Sequence, residues 1–447
     1  MARRGAWLGL ALWLLAAALL WIDTSSLPLA FLALFAVLAG AALVSPQATA
    51  LLAVAVGLLM SRRGLLARMA ARGVVSSLSR TGVAVAALSI AVATTIGVDL
   101  MIASFRTAVV TWLEGTLAAD IYVAAPTRIG SAANLALPED LPTRVRSTPG
   151  VDRVNTLRTT VVERPGEDAL RVSGIDLDQR GFASFRLIGG DSDRAFAAFE
   201  RGEVLISDPF AYRRKLGAGD TIELPTVAGV RRFRIAAVFR DYGSDQGVMV
   251  IADRSFRALW PSVPVAALSV FANQGADAIA LERTLRDVSR PGEAFLVESS
   301  RSLRQGSLEI FDRTFRVTGV LRLLTLAVAV IGVLAALTAL ELERAREFAV
   351  LRANGLLPRQ LVALILGETT LLGLAAGLFA VPLGTTLATL LIYVVNRRSF
   401  GWTMELAITP RPFVVAVGLS ILAAWVAGIY PAWRSSRTSP AAALRAE

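Results

Sequence analysis

Six runs of apolar residues, 6–21, 27–60, 82–105, 320–340, 361–395 and 413–430, decide what this chain can fold into. Most approach or exceed the roughly 18–20 residues needed to cross a bilayer core. The whole sequence agrees: 55% of its 447 residues are hydrophobic and the mean hydropathy is +0.59, above the usual range for soluble domains. Backbone polar groups in lipid must be satisfied within the segment, so each run is read as a helix.

Trp7 and Trp21 bound the first run and suit interfacial positions. A cleaved signal peptide is the alternative there, with Arg3 and Arg4 ahead of it. No small-x-small cleavage site stands at Trp21-Ile-Asp-Thr, so a retained helix is the reading adopted. Runs 27–60 and 361–395 are long for one crossing. Pro46 is expected to kink or break the first, and Pro382 to tilt or kink the second. Residues 61–81 place Leu66, Ala70, Val74 and Leu78 on one face and Arg62, Arg63, Arg68 and Arg72 on another. This predicts a basic helix lying among lipid headgroups ahead of the span at 82–105.

With six crossings, the basic clusters at Arg3/Arg4, 62–80, 344–359 and 434–445 share one side, which the positive-inside rule makes the cytoplasm. Both termini are then cytoplasmic and 106–316 is extracytoplasmic. That region, about 210 residues, holds one or two cores. It reads as strands at 119–125, 151–162, 169–174, 203–207, 221–224, 230–239, 267–271 and 294–297, with helices at 141–147, 208–216 and 276–288. The predicted fold is a polytopic α-helical membrane protein with an inserted α+β extracytoplasmic domain and about six transmembrane helices.

The composition also excludes chemistry. There is no histidine and no cysteine, which removes thiolate and imidazole catalysis, disulfides and the usual zinc and copper sites. Lys215 is the only lysine, and no phosphate-binding G-x-x-x-x-G-K-[ST] loop is present. The net charge of +11 is accounted for by the membrane-flanking arginines, and no nucleic-acid-binding module is visible. Two ionisable residues fall within apolar runs. Asp99 lies near the outer end of its span, where interface solvation accounts for it. Glu368 is within reach of polar partners such as Thr369 and Thr370, and a structural pairing within the bundle is expected ahead of a proton relay. Gly373 and Gly377 permit close helix approach, either within the chain or in a dimer.

The charged connector Glu343-Arg-Ala-Arg-Glu-Phe-Ala-Val-Leu-Arg-Ala-Asn-Gly355 stands between two apolar runs. Helical spacing puts Leu340, Phe348 and Leu351 on one face and Arg344, Glu347 and Arg352 on the other, with Gly355 suited to a left-handed cap. This stretch resembles the connector of FtsX-like ABC permeases. The ending Pro431-Ala-Trp-Arg434-Ser-Ser-Arg437-Thr-Ser-Pro440-Ala-Ala-Ala-Leu444-Arg445 is similar to the tail of the same family, and Pro431 is expected to end the last span. Pro149-Gly-Val151, Ser173-Gly-Ile-Asp176 and the stretch 204–220 resemble, in order, the periplasmic core of MacB-like permeases. Asn354 departs from the pattern, where relatives often carry an apolar residue.

The resemblance implies a coupling helix at 341–356 that docks on a separate ABC ATPase through Arg344, Arg346, Glu347, Leu351, Arg352 and Gly355. It implies a cytoplasmic tail anchored by Pro431, Arg434, Arg437, Pro440 and Leu444 near that ATPase. The family unit spans 61–447, with 317–447 as its FtsX-like permease domain and 1–60 as two connecting spans, so the chain looks like the second half of a duplicated ten-span permease. A second permease half or a homodimer is implied, in the bacterial inner membrane. No cofactor is expected on this chain, with ATP and Mg on the partner. The expected function is export or extraction of a lipid, lipoprotein or hydrophobic compound by mechanotransmission. The alternative is a non-transporting signalling or scaffold protein that regulates a cell-wall hydrolase or senses antibiotics.

Overall fold

The computed structural model describes residues 2–22, 26–60, 65–126, 136–164 and 167–437. Pro440 and Leu444 of the expected tail anchor, and 61–64 of the expected basic helix, lie outside these. Three long helices come first: α1 (Ala2–Trp21), α2 (Leu27–Met60) and α3 (Leu65–Thr116). Next follow β1 (Ile121–Ala124), α4 (Leu141–Arg146), β2 (Val151–Arg164), β3 (Glu167–Ile175), α5 (Gln179–Ala183), α6 (Ser192–Glu200), β4 (Val204–Ser207) and α7 (Asp208–Arg214). The domain continues with β5 (Thr221–Thr226), β6 (Gly229–Phe239), β7 (Val248–Ala252), α8 (Asp253–Leu259), β8 (Val265–Ala272), α9 (Ala278–Asp287) and β9 (Leu296–Ser299). The chain ends through α10 (Ser300–Ala353), α11 (Pro358–Leu390), a π-helical stretch Leu391–Asn396, α12 (Arg397–Phe400) and α13 (Pro410–Arg437). Among the described residues six helical segments are long and apolar enough to cross a membrane.

Two compact units result: Met1–Phe105 with Phe315–Arg398 and Glu405–Glu447, and Arg106–Thr314 with Ser399–Met404. The second matches the expected insertion except for Ser399–Met404. That short segment belongs to it through packed aromatic rings: Trp402 lies 4.7 Å from Phe400 and 6.0 Å from Tyr242, whose hydroxyl donates to the Thr403 carbonyl at 2.7 Å.

Two expected breaks are absent, and Pro46, expected to kink or break its run, leaves it one continuous helix. Residues 65–81 and 82–105 are not separate pieces, because α3 runs unbroken from Leu65 through both. Arg68 and Arg72 are exposed as the periodicity requires, but Ala70 and Val74 are buried in the helical core of the first unit, not among headgroups. Pro46 sits inside a continuous α2. Proline cannot donate to the carbonyl of Ala42, and the Ser45 hydroxyl donates to it instead at 3.2 Å. Pro431 likewise does not end α13, which continues to Arg437.

The second unit is a mixed sheet in the order β5-β6-β4-β7-β3-β2-β8-β1-β9. Central β4 is buried along its whole length, the mark of a strand covered on both faces. Its alternation explains the two layers. Val204 and Ile206 join Phe210, Met249, Ile251 and Phe256 on one face, while Leu205 joins Phe182, Phe199, Phe239 and Val250 on the other. A third cluster gathers β1, β8 and β9 with α4 and α9 around Ile121, Leu141, Val270 and Leu281. The flanking helices connect to neighbouring strands: α3 leads into β1, β9 leads into α10, and β1 pairs antiparallel with β9 from Ile121↔Ser299 to Ala124↔Leu296.

Asp241 makes the charge state of this unit testable. Burial pushes its carboxyl above the usual value of 3.8, against the Gly243 N–H bond at 3.0 Å and the charge of Arg171. The folded state therefore holds a proton more tightly than the unfolded chain. The stability this confers is present below pH 3.8 and is lost as pH rises through the elevated folded value. Asp241→Asn keeps the acceptor for Gly243 without the charge. Its stability relative to the parent is expected to increase from pH 4 to pH 7, read from calorimetric unfolding of the full chain at both values. An advantage that shrinks over that interval would contradict the assignment.

Candidate functional site

The last four turns of α10 organise the site. Glu343, Arg346, Glu347 and Val350 are exposed at i, i+3, i+4 and i+7, a single helix face. Arg344, Phe348 and Leu351 fall on the neighbouring face, which turns into the bundle. The expected coupling helix at 341–356 is therefore no separate element: it is the end of α10, a helix of 54 residues, or about 80 Å at 1.5 Å per residue. Gly355 closes it with φ +96°. The Leu356 N–H donates to Leu351 O and the Gly355 N–H to Arg352 O, both at 3.1 Å, which is the paired pattern of a glycine-terminated helix.

Arg344 departs from its expected place. It does not share an outward face with Glu347 and Arg352. Its Nη1 donates to both carboxylate oxygens of Glu368, at 3.2 and 3.0 Å, and its Nε donates to Glu347 Oε2 at 3.0 Å. The guanidinium also lies 5.1 Å from the Phe348 ring centroid. Glu368, 7% exposed, is thus paired within the bundle, and its partner is a residue of the charged connector. The Thr369 and Thr370 hydroxyls donate to their own Leu366 carbonyl. On α3, Gly73 makes the room: a Cβ there would overlap Glu368 Oε1. Phe348 packs with Leu361, Ile365 and Ala432, so α10, α11 and α13 converge at this point.

The remaining assigned residues divide cleanly. Leu351 and Arg352 are half-buried, and Arg346 is exposed. In the tail Pro431 is buried, whereas Arg434 and Arg437 are exposed, and Arg437 stacks 4.3 Å from the Trp433 ring. Gly373 and Gly377 serve internal packing of α11 on α13. A Cβ at Gly373 would come within 2.8 Å of Ser420 O, and one at Gly377 within 3.2 Å of Val417 Cα.

Asp99 is not explained by interface solvation. It accepts two hydrogen bonds from Arg322 Nη1, both at 2.7 Å. Arg322 was legible as a cation inside the 320–340 run, but only the antiparallel course of α3 and α10, marked also by Phe105 against Phe315 at 6.1 Å, brings it opposite Asp99. The clasp of Tyr242 with Trp402 gave no sequence signal.

Two stretches of the chain match known protein families. The FtsX-like permease C-terminal family model matches residues 319–440, and that of the MacB-like periplasmic core domain matches 81–288. An uncharacterized ABC transporter permease protein of Mycobacterium tuberculosis is 38% identical over 452 residues, covering 99% of this chain and 52% of the relative. The lipoprotein-releasing system transmembrane protein LolC of Haemophilus influenzae is 31% identical over 133 residues, covering 29% of this chain and 33% of LolC. The crystal structure of the periplasmic region of MacB from Actinobacillus actinomycetemcomitans aligns with 43% of this chain and 94% of its own, at 13% identity and a TM-score of 0.31. The chain spans about half the length of the first relative and a third of the second. An α-helical membrane scaffold carrying an inserted α+β extracytoplasmic domain is the class defined here. The chain belongs to the FtsX-like, MacB-like ABC transporter permease family.

Proposed function

We propose that this chain is the transmembrane permease subunit of an ABC transporter whose ATPase is a separate polypeptide. The observation that carries the reading is the exposed stripe Glu343, Arg346, Glu347 and Val350 at the end of a helix that starts directly after β9. An unbroken helix transmits displacement along its axis, so motion imposed at that stripe reaches the extracytoplasmic domain without a hinge. ATP and Mg bind to the partner. A second permease half or a second copy completes the assembly, in the bacterial inner membrane with both termini cytoplasmic. The cargo class is a lipid, lipoprotein or hydrophobic compound, extracted or exported by mechanotransmission. The similarity to LolC, a transmembrane protein of a lipoprotein-releasing system, supports this choice.

The test is ATPase assay of the complex in lipid nanodiscs. Glu347→Arg and Arg346→Glu each reverse an exposed charge at the centre of the stripe. Either substitution is expected to lower stimulated hydrolysis at least tenfold, the size of one or two lost charged hydrogen bonds, with expression unchanged. Full stimulation in both variants would remove the stripe as the docking site.

A further inference from the structure

We propose that Arg344 is a two-way positioning residue, divided between buried Glu368 and exposed Glu347, and that a cationic side chain of the docked ATPase claims Glu347 and drives Arg344 wholly onto Glu368. The inference rests on the permease reading and deepens it by naming the charge of the partner group and the internal contact it moves.

The geometry gives Arg344 two separate allegiances. Its Nη1 serves Glu368 and its Nε serves Glu347, so one planar guanidinium bridges two carboxylates on different helices. The carboxylates differ sharply in access. The Glu347 side chain is 66% exposed, whereas that of Glu368 is 9% and that of Arg344 16% exposed. An incoming group can therefore reach Glu347 but neither of the other two. An acidic group would meet the Glu347 charge and be repelled, so a cation is the complementary occupant.

Once Glu347 is paired outward, Arg344 has a single carboxylate left. That contact is the direct ionic link between α10 and α11, and Glu368 in turn fills the notch at Gly73 on α3. Tightening it binds the end of α10 to both neighbours. Loss of the outer cation returns Arg344 to shared pairing and loosens the node. The stripe thus both docks the partner and reports its presence to the bundle.

The chain has no cysteine, so introduced pairs can be labelled without background. Val75 on α3 and Ala353 on α10 are exposed and lie outside the three charged residues. Spin labels at Val75→Cys and Ala353→Cys in the full chain in nanodiscs report the α3–α10 separation with no ATPase present. Glu347→Gln imitates capture of Glu347 and is expected to narrow the distance distribution. Glu368→Gln removes the inner carboxylate and is expected to broaden it. With the ATPase added, Glu368→Gln should keep the complex but lower stimulated hydrolysis about tenfold, a single weakened charged hydrogen bond. Distributions for both variants that superimpose on the parent overturn the switch, as does broadening by Glu347→Gln. Should Glu368→Gln not fold, Glu368→Asp, which keeps the charge on a shorter arm, takes its place. A parental distribution in Glu368→Asp, or its failure to fold as well, makes the pair a structural requirement only and overturns the proposal. If no ATPase binds the parent chain, the permease reading fails while the spin-label arm still decides the switch.

Discussion

Arg344→Leu is expected to destabilise the helical unit by about 3–5 kcal/mol, the usual result of removing one partner of a buried ion pair. The cost arises from what remains. Glu368 would keep its place beside Gly73 and Thr369, 7% exposed, with both carboxylate oxygens stripped of their Arg344 N–H donor. Hydrophobic replacement of both partners, Arg344→Leu with Glu368→Leu, is expected to recover most of the loss, because two desolvation penalties vanish together. Thermal unfolding in detergent checks both variants. Equal destabilisation of the single and double variants would show that packing, not the uncompensated charge, sets the cost.

Gly373→Leu is the second large effect. The atoms nearest a Cβ at this position are Ser420 O and Ala424 Cβ, each at 2.8 Å, and Ile421 Cα at 3.0 Å. Two of these are backbone atoms of α13 that cannot rotate aside. The Ser420 hydroxyl also donates to Gly373 O at 2.7 Å, so separating the helices breaks a buried hydrogen bond as well. Overpacking here is expected to cost roughly 3 kcal/mol. Gly418→Leu on α13, where nothing lies within 4 Å, is the control and is expected to stay within about 0.5 kcal/mol of the parent. Unfolding midpoints in the same detergent decide it. Matching losses in the two variants would mean that the cost is generic to leucine in these helices.

What could be read from the sequence depended on how local the signal was. The six apolar runs are local and long, and among the described residues six candidate spans fall on them. Strands β1 and β6 were legible because alternation is written within a few residues. β7, with α6 and α8, carries no such mark: Val248–Ala252 is too short and uniformly apolar to separate from its surroundings. Where helices stop was the weaker inference. Arginines at 62–80 and glutamates and arginines at 343–352 look like surface segments, and surface segments look like breaks. α3, from Leu65, and α10 nevertheless continue through them, since no proline interrupts either stretch, and Gly355 and Pro358 end α10 and begin α11.

The pairings were the least legible part. Glu368 and Asp99 are conspicuous as charges in apolar runs, but their partners, Arg344 and Arg322, lie 24 and 223 residues away. Antiparallel helix packing selects them, and periodicity alone carries no information about it. Arg344 is the instructive case. It stands among exposed charges in the sequence, and only the position of Gly73 on α3 shows why a guanidinium there is drawn inward.

The central claim is that the exposed end of α10 meets an ABC ATPase. A photo-activatable amino acid at Val350, which is 45% exposed at the C-terminal end of the charged stripe, tests it most directly. Irradiation of the full chain in membranes that contain the candidate ATPase subunits is expected to give an adduct with an ATPase at Val350, and none from the same probe at Val161, an exposed position of the extracytoplasmic unit. An ATPase that copurifies with the chain yet forms no adduct from Val350 would contradict the account.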